Sequence, residues 1–66
     1  MQIQVNGDPL VLPAGTSVQA LLEQLGLQGR RVAVELNHEI VTRSEHAARI
    51  LMSDDRVEIV HAIGGG

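Results

Sequence analysis

The chain has no cysteine, no lysine and no aromatic residue, and only two prolines, among 66 residues. Each absence narrows what it can do. Without cysteine there is no disulfide, no thiolate metal ligand and no cysteine nucleophile, which fits a reducing cytoplasm. Without Phe, Tyr or Trp the core must be built from Val, Ile, Leu, Met and Ala. The stacking platforms that bind single-stranded nucleic acid are missing as well. All five basic residues are arginine, the formal charge is −3 and the pI is about 5.4. No basic footprint for nucleic acid or for an anionic membrane is present. No apolar run approaches the roughly 20 residues that span a bilayer. The first residues, Met1 to Val5, alternate and carry no basic segment, so no signal peptide is expected.

What is there begins with a strand pattern. Ile3 and Val5 alternate with Gln2, Gln4 and Asn6, which is the period of a strand with one buried face. Asn6-Gly7-Asp8-Pro9 is a turn signal, and Leu10-Val11-Leu12 reads as a second short strand paired back on the first. Thr16 followed three residues later by Gln19 has the form of a capping box. Val18, Leu21, Leu22 and Leu25 then recur at helical spacing, predicting a helix over 17–25 with all four on one face. Gly26 closes it in the left-handed conformation.

The second half alternates again. Val32, Val34 and Leu36 predict a third strand, and Asn37-His38 a two-residue hairpin loop leading into Glu39-Ile40-Val41. Ser44 is the expected cap of a short helical turn, and Ile50-Leu51-Met52 is expected to return apolar residues to the core. After the polar turn Ser53-Asp54-Asp55, Val57 and Ile59 alternate with Arg56 and Glu58 in a last strand. One helix with one apolar stripe needs one sheet face. The order β-β-α-β-(short β)-β predicts an α+β chain of the β-grasp, ubiquitin-like type. Its mixed sheet has four to five strands, one main helix lies on one face, and the first and last strands run parallel at the centre.

The stretch with chemical potential is the end, Ile63-Gly64-Gly65-Gly66. Three glycines present no side chain and lose more freedom on ordering than any other tripeptide. Stretched out, they carry a carboxylate roughly 10 Å beyond the domain, as a thread able to enter a channel closed to any residue with a Cβ. The division expected is a domain over 1–62 and a tail over 63–66. Val60 and Ala62 share the phase of Arg56 and Glu58, which places them on the open face beside the tail as candidate partner-docking residues. Ile63 is a further anchor at the channel mouth.

Other constellations are weak. His38, His46 and His61 match no ligand spacing, and no metal is expected. Glu35 and Glu58 alternate with apolar residues and belong to a solvated strand face rather than to acid–base chemistry. Asp54-Asp55 is turn chemistry.

The segments Gly15 to Leu22, Val32 to Asn37, Ile40-Val41 with Arg43, and Asp55 to Val60 running into the glycines together resemble a family. It is the bacterial sulfur carrier family of thiamin biosynthesis, ThiS. His38, Thr42 and His46 depart from it where Gly, Pro and an aromatic are common. The resemblance implies a non-enzymatic carrier. The Gly66 carboxylate is adenylated by an ATP-dependent, E1-like partner (ThiF-like), then takes sulfur from a donor enzyme to become a thiocarboxylate. The carrier delivers that sulfur to thiazole synthase (ThiG-like). An α-carboxyl, with a reference pKa of about 3.3–3.7, is ionised at neutral pH and able to attack the α-phosphate of ATP. Three readings stand beside this one. They are the small subunit of molybdopterin synthase, a protein modifier joined through Gly66, and a plain β-grasp interaction module.

Overall fold

A computed structural model describes residues 1–61. Five strands and one α-helix are formed: β1 (Gln2–Val5), β2 (Asp8–Val11), α1 (Val18–Gln24), β3 (Val32–Leu36), β4 (Glu39–Val41) and β5 (Arg56–His61). The strands make one mixed sheet in the order β2-β1-β5-β3-β4. β1 and β5 run parallel, and every other neighbouring pair is antiparallel. This is the expected β-grasp arrangement, with the first and last strands side by side at its centre.

The β1–β2 loop is tighter than the turn signal suggested. Only Asn6 and Gly7 connect the strands, with φ of 50° and 88°, the left-handed pair that suits the twist of a hairpin. The second strand therefore begins at Asp8 rather than Leu10 and contains Pro9, opposite Gln4. Proline is tolerated because β2 is an edge strand, where a missing amide need not face a neighbour. Asn37 and His38 connect β3 to β4 with φ of 51° and 70°, as a two-residue loop requires.

The helix starts one residue later than the Thr16 reading. Ser17 is the N-cap, and its hydroxyl accepts from the Ala20 amide at 3.1 Å. Thr16 is committed elsewhere: its hydroxyl donates to the Pro13 carbonyl at 2.7 Å, and its carbonyl accepts from the Leu51 amide. Gln19 reaches forward to Glu23 instead of back to the cap. At the other end Gly26 adopts φ 74°. Its amide donates to the Glu23 carbonyl and the Leu27 amide to the Leu22 carbonyl, which is a Schellman closure. Val18, Leu21 and Leu22 are buried, but Leu25 is 39% exposed. The helix ends at Gln24, so Leu25 lies past its last turn, and the reversal at Gly26 brings Leu27 against the core in its place.

Two further expectations are corrected. The cap of the short turn Arg43–Glu45, a 3₁₀ helix, is Thr42 and not Ser44. Of Ile50, Leu51 and Met52 only Leu51 is buried. Residues 49–51 run extended and bond to Thr16 and Val18. Side chains of an extended segment alternate, so one of the three can face inward.

The buried residues between α1 and the sheet are all aliphatic. Ile3, Val34, Leu36, Val41, Val57 and Ile59 come from the sheet, Val18, Leu21 and Leu22 from the helix, and Leu12 and Leu51 from connections. No polar or charged residue is buried among the described residues. No helix among them is long and apolar enough to cross a membrane.

Candidate functional site: the exit of the last strand

The site is organised by β5, the strand that ends the described residues. β5 is held on both sides, by β1 in parallel and by β3 along its length from Val57 to His61. The β1 ladder stops at Val5 opposite Val57. Beyond it, Asn6 takes over with its side chain. Its Oδ1 accepts from the Ile59 amide at 2.8 Å and its Nδ2 donates to the Ile59 carbonyl at 3.2 Å. At the start of the strand Asn37 does the corresponding work. Its Oδ1 accepts from the Arg56 amide at 2.9 Å, and its Nδ2 donates to Asp55 at 3.0 Å. The residue types at these loops were legible as turn chemistry. Their second use, as clamps on a strand some twenty to fifty positions away, was not.

Val60 lies on the open face of the sheet, 60% exposed, directly opposite Ala33. The register places Glu58 opposite Glu35, and Glu35 opposite Ile40, which is 74% exposed. On this face Val60 and Ala33 thus pair in one row of the sheet, and Glu58, Glu35 and Ile40 in the next row, farther from the end of β5. Ile40 was missed in the sequence. Its phase opposite the buried Val41 was the signal, available once the Asn37-His38 loop sets the hairpin register.

Behind the exit is a groove of about 420 Å³ lined mainly by Val5, Leu10, Leu25, Leu27, Ile59 and His61. Ala62, Ile63, Gly64, Gly65 and Gly66 lie outside the described residues. Among the described residues no group of three His, Asp or Glu side chains is arranged to hold a metal. His46 instead sits with Nε2 at 3.2 Å from the Val41 carbonyl. Since that carbonyl only accepts, Nε2 carries the proton.

Among the described residues, Glu45 is the carboxyl whose surroundings move its titration. The Thr42 hydroxyl and amide donate to its carboxylate at 2.7 and 3.1 Å. These bonds favour the charged form and hold the carboxyl below the ordinary glutamate range, with smaller help from the charges of Arg49 and His46.

The family model described as ThiS matches residues 2–66. The thiazole synthase of Magnetococcus marinus is 46% identical over 66 residues, covering all of this chain and 20% of that protein. A second thiazole synthase, from Paramagnetospirillum magneticum, is 44% identical over the same span. The chain therefore spans about a fifth of the length of these synthases. The sulfur carrier protein ThiS of Escherichia coli is 35% identical over 66 residues, with both chains covered in full. The crystal structure of the thiamine biosynthesis protein ThiS from Geobacter metallireducens superposes with a TM-score of 0.87 at 35% identity, again over the whole of both chains. The chain belongs to the ThiS family.

Proposed function

We propose that the sulfur is carried at the carboxylate of Gly66, with Gly64 and Gly65 as the thread that delivers it and Ile63 as its anchor. Residues 1–62 form the body that partners grip, through Val60 on the open face and through Ala62. The observation that supports this most is that the likeness to the curated carriers runs the whole length of the chain, glycines included. The exposed Val60, opposite Ala33 near the end of β5, supports a docking role for this face.

A carboxylate is a poor acyl electrophile because it is anionic and resonance-stabilised. An E1-like, ThiF-like enzyme overcomes this with ATP: a Gly66 oxygen attacks the α-phosphorus, pyrophosphate leaves, and the acyl group gains AMP as a leaving group. Sulfide-level sulfur supplied by a donor enzyme then attacks the acyl carbon and expels AMP, leaving a thiocarboxylate. A ThiG-like thiazole synthase consumes it. Two thiazole synthases contain a segment like this chain, which supports that partner and favours the thiamin branch over the molybdopterin branch or a protein modifier. These steps are placed in the cytoplasm.

Intact mass of the protein from its own cells is the first test: a gain equal to exchanging one oxygen for sulfur is expected, and a gain of a whole protein would mean conjugation. Deletion of Gly66 is the second. It withdraws the carboxylate by about 3.3–3.6 Å, and a misplacement of even about 1 Å can cost on the order of 100-fold in rate. Pyrophosphate release with the adenylating enzyme should collapse while the melting curve stays put. Adenylation of the truncated protein at the normal rate would end this reading.

A further inference from the structure

On the helix side of the molecule, away from the open face, a second cavity of about 240 Å³ lies between α1, the loop that follows it, and the 3₁₀ turn. Arg30, Arg43 and His46 line it together with Glu23, above a floor that includes Leu22 and Val32. We propose that this cavity binds a small phosphomonoester.

The charge balance points to an anion. Two of the chain's five arginines open onto one cavity in a protein of net charge −3. The single carboxylate in the lining, Glu23, already accepts from the Gln19 side chain at 3.2 Å. Two arginines thus share the lining of one cavity with a single carboxylate. Guanidinium forks match the spacing of phosphate oxygens and bind them with charge-assisted hydrogen bonds, the stronger kind.

The walls are fixed by backbone, not by the side chains that would do the binding. The Arg30 amide donates to the Leu27 carbonyl at 3.0 Å, and the His46 amide to the Arg43 carbonyl at 3.2 Å. The Gln19 amide donates to the His46 carbonyl at 2.9 Å, tying the 3₁₀ turn to the first turn of α1. The His46 ring is itself pinned to the Val41 carbonyl. The arginine side chains remain exposed and available.

Size and floor define the ligand. Sites for drug-sized molecules run to roughly 300–1,000 Å³, so about 240 Å³ suits a phosphate with a few carbon atoms better than a nucleotide. Leu22 and Val32 give that organic part an apolar surface, which inorganic phosphate would leave uncovered. A dianion also matches two guanidinium groups better than a monocarboxylate does.

The test is a titration of the full chain with propyl phosphate, followed by amide NMR, with chloride at matched ionic strength, butyrate and a glutamate-rich peptide as comparisons. Saturable shifts centred on Gly29, Arg30, Arg43 and His46 are expected. R30A and R43A should each weaken binding roughly tenfold, the loss of one charged hydrogen bond. E23Q should strengthen binding, and R56A, on the opposite face of the sheet, should leave it unchanged. Both arginines are exposed, so the remaining amide spectrum of each variant reports an intact fold. Shifts reproduced by chloride, or affinities unaltered in both R30A and R43A, would overturn the site. Butyrate or the peptide binding as tightly as propyl phosphate would overturn its assignment to a phosphate.

Discussion

Asn6 and Ile59 are joined through both polar atoms of one carboxamide, 53 positions apart in sequence. The bond pair continues the parallel β1–β5 ladder past the point where β1 turns away, and it holds the strand two residues before the end of the described chain. Asn6→Gly keeps the positive φ of the turn but leaves the Ile59 amide and carbonyl without these partners. A loss of about 1–3 kcal/mol is expected, read by thermal or urea denaturation. Exchange of the Ile59 amide with solvent should accelerate more than that of Val57, which lies within the β1 ladder. Equal acceleration of both would show that Asn6 acts on global stability and not as a local clamp.

Leu22 and Leu25 separate the packed part of the helix stripe from its overhang. Leu22→Ala should cost about 2–5 kcal/mol, the range for a core leucine, because Leu22 is only 7% exposed. In a domain whose core supplies only a few kcal/mol, that is enough to unfold a large fraction of the molecules. Leu25→Ala, at 39% exposed, should cost well under half as much. Melting curves of the two variants, side by side, check the ordering.

Val60→Asp should leave the fold intact, since the side chain faces water opposite Ala33. It should weaken association with the adenylating enzyme by at least tenfold if Val60 is a docking residue, because a buried unpaired charge is costly. Calorimetric titration decides, and equal affinity for both forms would remove Val60 from the docking face.

Glu35 and Glu58 face one another across β3 and β5. Like charges directly opposite on a sheet are destabilising, by amounts of about 0.2–1 kcal/mol. Glu58→Lys should therefore raise the melting temperature slightly. A higher melting temperature with weaker enzyme binding would assign the carboxylate pair to recognition.

The Thr42–Glu45 bonds make the 3₁₀ turn sensitive to acid. Glu45 has a lowered pKa in the folded chain, so its contribution is complete above the ordinary glutamate range and is lost as pH falls through the lowered value. The Thr42 amide resonance should move in that window. In Glu45→Gln the movement should disappear, and its persistence would place the titrating group elsewhere.

The sequence by itself determined what local periodicity and backbone chemistry control. Alternation marked the strands, the 3-4 spacing marked α1, and Asn37-His38 and Gly26 marked positions of positive φ. The glycine run at the end stood out because no side-chain constellation in the chain competes with it. Caps were read less well. Thr16 and Ser17, or Thr42 and Ser44, are equally able to cap, and the choice falls to which hydroxyl is claimed by another group, as Pro13 claims that of Thr16.

The tertiary structure alone decided which residues meet. Sheet register puts Val60 beside Ala33 and Glu58 beside Glu35, and an alternating pattern cannot specify which strand is its neighbour. Packing decided that Leu27 and not Leu25 covers the end of the core, because the Schellman turn redirects the chain after the helix stops. The clamp of Asn6 on Ile59 and the cavity lined by both Arg30 and Arg43 join segments separated along the chain. Such contacts are properties of the folded arrangement, and no short window of sequence contains both partners.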